Sequence, residues 1–204
     1  MMKREIIMSN FDEYIHQVDS VIYWLNHPTT KEKYNKMVNV LYNVKERKGR
    51  CFIAGMGGSA ANAQHMANDF RKIAGIDAIS LSDNIAELTA RANDDGLTTI
   101  YSNTMKVSNF EWKDILFILS VSGGSREKDA SMALVKACEY AKDQGGTVLG
   151  IVGMPDSETE RMGDVVIVTP QPSKYLTQIA ESLQAVIWHG IISDPQLLEN
   201  AAKW

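Results

Sequence analysis

The sequence predicts an α/β protein, a three-layer sandwich in which a parallel sheet of about five strands lies between helices, preceded by an N-terminal helical hairpin. Short apolar runs alternate with helix-period segments along most of the chain. Two of those runs end in glycine- and serine-rich turns that open helices. The strands read as continuous apolar runs with no alternation, as expected of strands buried on both faces.

Residues 10–26 repeat apolar side chains at helical period (Phe11, Ile15, Val18, Val21, Ile22, Leu25). His27-Pro28 is expected to end that helix, because a residue before proline avoids the α region. Thr30 is a candidate cap for a second helix to about Lys48, with Tyr34, Met37, Val38, Leu41 and Val44 on one face. Strand 51–54 then leads into a helix over 59–73, followed by a short strand at 78–81 and helices over 84–93 and 97–106. Strand 115–119 precedes a helix expected from Ser125 to Gln144. Strand 147–152, a short helix at 157–162, strand 165–168 and a final helix over 174–193 complete the alternation. Residues 1–48 thus form a helical segment and 49–204 the sheet domain, together one structural unit. Amphipathic hairpins in that leading position often pack on a partner subunit.

Both turns suit an anion. Gly55-Met56-Gly57-Gly58-Ser59-Ala60 follows the run Cys51-Phe52-Ile53-Ala54, and Ser120-Val121-Ser122-Gly123-Gly124-Ser125 follows Ile115-Leu116-Phe117-Ile118-Leu119. Glycines let the backbone approach a ligand, serines supply hydroxyls, and helix N-termini present free N–H groups. Two such turns at strand ends suggest a phosphorylated ligand held from two sides, at the carboxyl edge of the sheet. Neither is a nucleotide signature: the first lacks the third glycine of G-x-G-x-x-G, and neither carries the lysine of a P-loop.

Composition excludes other classes. The 204 residues are 45% hydrophobic with a net charge of −4, and no basic run points to nucleic acid or a membrane surface. No window reaches the roughly 18 apolar residues of a membrane span. Residues 1–8 have a basic start without a following apolar stretch, so no secretory leader is expected. Cys51 and Cys138 are expected to be reduced core residues, and the protein to be cytoplasmic.

Two helices carry side chains suited to chemistry. His65 and Asp69 stand at i, i+4 on the helix after the first turn, a spacing that suits a metal, a base with its orienting partner, or an idle exposed pair. The last helix carries Gln178, Glu181, Gln184 and His189. A buried glutamate normally needs a partner, whereas His189 equally suits a satisfied core position.

Taken in order, Gly55-Met56-Gly57-Gly58-Ser59 with its Ala-Gln-His helix, Leu81-Ser82-Asp83, Asn93-Asp94, the serine turn at 120–125, Glu181 and His189 resemble the SIS (sugar isomerase) fold, over about residues 10–195. Within it they resemble the phosphoheptose isomerases. The resemblance implies an aldose–ketose isomerase interconverting sedoheptulose 7-phosphate and D-glycero-D-manno-heptose 7-phosphate through a cis-enediol. It implies substrate contacts at Met56, Gly57, Gly58, Ser59, Asp69, Asn93, Asp94, Val121 and Glu181, and a phosphate cradle at Ser120, Ser122 and Ser125. It implies Asp69 and His189 as catalytic base and acid, and one zinc per subunit on His65, Asp69, Glu181 and His189. It also implies a homotetramer with active sites near subunit boundaries.

The chain departs from that pattern at three positions, with Asp69 for a glutamate, Glu181 for a glutamine and Met56 for an asparagine. Eight helical residues between Glu181 and His189 correspond to roughly 12 Å of rise, so a shared metal requires a bent helix or sites in different subunits. A second class, a non-catalytic sugar-phosphate sensor or tetrameric scaffold, also uses this fold; the retained acid/base side chains weigh against it.

Overall fold

The computed structural model describes residues 10–200; the expectation about a leader at 1–8 lies outside them. Five strands, β1 (Arg50–Ala54), β2 (Asp77–Ser80), β3 (Ile115–Ser120), β4 (Thr147–Val152) and β5 (Val165–Val168), form one parallel sheet in the order β2-β1-β3-β4-β5. Among the described residues, eight α-helices accompany them: α1 (Asn10–Ile22), α2 (Pro28–Glu46), α3 (Gly58–Lys72), α4 (Ile85–Asp94), α5 (Ile100–Val107), α6 (Met132–Asp143), α7 (Glu158–Met162) and α8 (Leu176–Ile192). The predicted three-layer α/β architecture is the observed one.

Both faces of the sheet are covered, which is why its strands carry no polar alternation. Cys51, Ile53, Phe117, Leu119, Leu149 and Ile151 face a core shared with Met37, Leu41, Met66, Phe70 and Trp188 from α2, α3 and α8. The alternate residues Phe52, Ala54, Leu116, Ile118 and Val148 face Tyr101, Met105, Leu134 and Cys138 from α5 and α6. The central strand β3 is buried along its whole length. Cys51 and Cys138 are both buried free thiols, as expected.

The chain order of the sheet reverses at β1 and β3. Their carboxyl ends lie side by side, with Ala54 paired to Ile118, so the glycine turn and the serine turn leave adjacent strands at the switch point.

Two helix starts differ from the sequence reading. His27, not Thr30, caps α2: its Nδ1 accepts from the Thr29 amide at 3.4 Å. Pro28 then fills the first helical position, where its missing N–H costs nothing. The helix expected from Ser125 begins instead at Met132. Residues 125–130 close on themselves, with Ser125 and Ala130 exchanging backbone bonds of 2.9 and 3.0 Å. Charge holds this excursion outside the helix, since Arg126 bonds both Glu139 (2.5 Å) and Glu158 (3.1 Å).

Candidate active site at the α3–α8 seam

α3 and α8 run side by side in the same direction, and their seam changes character along its length. At its start it is polar and closed. The buried Gln184 carboxamide donates to the Ser59 hydroxyl at 3.1 Å and accepts from the Asn62 amide at 3.1 Å. Asn62 also donates to the Glu181 carbonyl at 2.9 Å. Ser59, Asn62 and Gln184 are thus satisfied across the seam, which fixes the register of one helix on the other. Ser59, expected to touch substrate, turns its hydroxyl into this network and is 1% exposed.

Farther along, the seam opens. One ligand atom from each of His65, Asp69 and His189 lies within 4.8 Å of the others. His65 Nε2 is 3.5 Å from Asp69 Oδ2, and the second oxygen, Asp69 Oδ1, accepts from the Asn68 amide at 2.9 Å. The His65 and His189 rings meet edge to face at 5.3 Å. Buried Trp188 forms the floor, stacked on His189 at 3.6 Å and edge-on to His65 at 4.9 Å. His189 Nδ1 lies 2.8 Å from the Ala185 carbonyl, which can only accept, so Nδ1 carries the proton of that bond. The Nε2 atom of His189 is left to hold a metal or to move a proton.

Glu181 stands about two turns earlier on α8 and is outside that cluster. Its carboxylate lies over Gly58, where a Cβ would be 2.5 Å from an oxygen. α8 is one continuous helix from Leu176 to Ile192. Three of the four expected metal ligands therefore converge, and the fourth sits at the first turn of α3.

The two turns are built as the sequence suggests. Met56, Gly57 and Gly58 are exposed, Gly57 adopts φ +61°, and Tyr101 anchors the turn by donating to the Gly55 carbonyl at 2.5 Å. Burial pushes the Tyr101 phenol up to about 12. In the second turn the Ser120 hydroxyl accepts from the Gly123 amide (2.9 Å) and that of Ser122 from the Gly124 amide (3.2 Å). Val121, between them, is partly exposed. Ser125 lines a cavity of about 260 Å³ with Ser122, Lys128, Asp156 and Arg161. Asn93 and Asp94 lie exposed at the end of α4, bonded to each other at 2.7 Å. α4 packs with α5, on the opposite face of the sheet from α3 and α8.

A family model for the SIS domain matches residues 13–153. The chain belongs to the SIS-domain family. The phosphoheptose isomerase of Helicobacter pylori (strain P12) is 32% identical over 147 residues, covering 69% of this chain and 72% of that protein. The chain is thereby a member of the phosphoheptose isomerase family and a sugar phosphate isomerase. The fold extends to solved structures. A phosphoheptose isomerase from Francisella tularensis matches with a TM-score of 0.78 at 21% identity, over 91% of this chain and 97% of that one. Another, from Neisseria gonorrhoeae, matches at 0.74 and 23% identity, over 89% and 93%.

In this isomerase the sequence reading missed Asn62 as a seam residue, Trp188 as the floor and Ser131, whose hydroxyl lies 3.1 Å from that of Ser122. Helical spacing alone puts Asn62 on the face of His65 (i, i+3) and Trp188 on the face of Glu181 and Gln184 (i, i+7 and i, i+4). Nothing in the sequence brings Ser131 back to Ser122; that depends on how residues 125–130 close.

Proposed function

We propose that the protein interconverts sedoheptulose 7-phosphate and D-glycero-D-manno-heptose 7-phosphate, in heptose supply for surface glycans. The observation that carries this reading is the convergence of His65, Asp69 and His189 on one opening, in a chain whose curated relatives are named phosphoheptose isomerase. Asp69 acts as the base: its carboxylate removes the proton on the carbon beside the carbonyl and returns it to the neighbouring carbon. His189 moves protons between the two oxygens through Nε2, its ring held by the Ala185 carbonyl. The serine turn holds the distant phosphate and so converts remote binding into correct placement of the reacting end. Substrate contacts by the backbone of Met56, Gly57 and Gly58 and by Asn93 and Asp94 belong to the same proposal.

A zinc ion fits the donor set. Two imidazoles and a carboxylate within reach of one another are a usual ligand set for zinc and leave a fourth position for substrate or water. Bound there, zinc would supply Lewis-acid polarisation of the carbonyl. Glu181 then serves as a substrate contact or as a ligand only after its carboxylate leaves Gly58.

Assembly into a homotetramer is part of the proposal. Phe11, Ile15 and Tyr23 are exposed along the first helical segment. Half-exposed Val186, three residues before His189, borders an apolar groove of about 250 Å³ lined by Leu25, Tyr34 and Ile187. Such apolar surface beside the cluster supports an interface close to the site. No helix among the described residues is long and apolar enough to cross a membrane. The two free thiols accord with the reducing cytoplasm.

The test is to incubate the protein with sedoheptulose 7-phosphate and follow anomeric proton signals by NMR, with and without zinc. New aldoheptose 7-phosphate signals are expected, stronger with zinc. Saturable binding without turnover in either condition would move the protein to the sensor or scaffold class.

A further inference from the structure

We propose that Ser131, and not Ser125, supplies the third hydroxyl of the phosphate cradle. This rests on the proposed function, which takes the serine turn as the phosphate holder.

The chain itself suggests the exchange. Residues 125–130 form a small hairpin whose ends bond each other, so the backbone leaves and returns at one point. In space, Ser131 therefore follows Gly124 as Ser125 does in sequence. The hydroxyls of Ser120, Ser122 and Ser131 form a chain, with separations of 3.5 and 3.1 Å. Ser125 stands outside it, its hydroxyl accepting from the Lys128 amide at 3.3 Å within the hairpin.

Proton counting shows what the chain offers. Ser120 and Ser122 each accept from a glycine amide, so their own hydrogens remain to donate. Three hydroxyl hydrogens serve two links, which leaves at least one for an acceptor outside. A phosphate seated there breaks the links and collects all three.

Ser131 is also unusual where it stands. A serine before a helix ordinarily turns its hydroxyl back to cap the first free amides. Ser131 precedes the twelve-residue helix α6, makes no such bond and directs its hydroxyl to Ser122. It does so at φ +50°, a left-handed conformation that strains a residue with a Cβ. Glycine would stand there with less strain, so the hydroxyl is what serine adds.

Ser122 and Ser125 line one cavity, and its other charged groups do not draw an anion towards Ser125. Its cations are Lys128 and Arg161, but Glu127, Asp156 and Glu158 line it too, and Arg161 is bonded to Glu158 at 3.1 Å. Glu158 holds both Arg161 and the neighbouring Arg126, which leaves Lys128 facing Glu127 and Asp156 and no guanidinium free for a phosphate.

The experiment is calorimetric titration of the full-length protein with inorganic phosphate, comparing Ser122→Ala, Ser125→Ala, Ser131→Ala and Ser131→Gly, with a thermal melt of each. Loss of one charge-assisted donor is expected to weaken phosphate roughly tenfold in Ser122→Ala and in both Ser131 variants. Ser125→Ala should bind as the parent does. Ser131→Gly separates binding from structure, because relief of the left-handed strain should hold or raise its melting temperature while affinity still falls. The inference is overturned if Ser125→Ala weakens phosphate and Ser131→Ala does not, or if Ser131→Gly binds like the parent. Unchanged affinity in Ser122→Ala would remove the serine turn as phosphate holder, and the inference with it.

Discussion

Glu181 lies with its carboxylate over the backbone of Gly58, so close that a Cβ on that glycine would sit 2.5 Å from an oxygen. The contact joins α8 to the first turn of α3, where free amides and the helix dipole favour negative charge. It also gives Gly58 a packing reason to be glycine. Gly58→Ala should force the flexible carboxylate aside. Alanine's better helix propensity, up to about 1 kcal/mol, offsets part of the disturbance. The melting temperature should shift by only a few degrees while KM rises severalfold. A large loss of stability with unchanged KM would show instead that Glu181 is held rigidly and has no part in binding.

Asp69→Asn keeps the shape of the side chain and removes its basicity. Turnover should fall by roughly 10²–10⁴-fold, the range of a lost general base, with KM within a few-fold of the parent. His189→Ala should do the same. Steady-state kinetics at saturating substrate decide, and near-normal kcat in Asp69→Asn would assign the base elsewhere.

Removing the two strand-end hydroxyls together, Ser120→Ala/Ser122→Ala, should mainly raise KM and leave most of kcat, since these groups act on the distant phosphate. A loss confined to kcat would place them at the reacting end instead.

The Gln184 carboxamide bridges Ser59 and Asn62 at the seam. Gln184→Leu leaves the buried Ser59 hydroxyl without its donor while Asn62 keeps the Glu181 carbonyl, at about 1–3 kcal/mol for the group left unsatisfied. Urea denaturation should show a loss in that range. Activity should drop beyond what the lost stability explains, because the seam sets the spacing of His65 and Asp69 from His189. A stability loss with unchanged kcat would separate the seam from catalysis.

Burial pushes the Cys138 thiol from its ordinary 9.0, and the Tyr101 phenol from 10.0, up to about 12, and raises Cys51 as well. Raised values mean that the folded state keeps protons the unfolded chain releases. Stability is therefore full below about pH 9 and falls as pH rises from there towards 12. Denaturation midpoints should hold between pH 8 and 9 and decline in order at pH 10 and 11. At pH 8 the native thiols should resist a disulfide reagent and react at once after unfolding.

Much of the fold was legible because buried parallel strands and amphipathic helices write their periods into the chain. All five strands lie where apolar runs end in turns, and His65 and Asp69 share a face by spacing alone. Where the reading slipped, a local rule met a competing one. Thr30 suits a cap, but Pro28 already fixes the first helical position and passes the cap to His27. The helix expected from Ser125 starts at Met132, because Arg126 pairs with Glu139 and Glu158 and the backbone from Ser125 to Ala130 closes on itself.

By itself, the sequence determined the layered α/β architecture, the two anion-suited turns and the acid/base residue types, since each is encoded within a few neighbouring residues. Only the tertiary structure decided how separate segments meet: His189 with His65 and Asp69, Glu181 with Gly58, Gln184 with Ser59, and Ser131 with Ser122. The reason is physical. Spacing along a helix sets which side chains share a face, but the register between two helices is settled by seam packing and buried hydrogen bonds from residues more than a hundred positions apart.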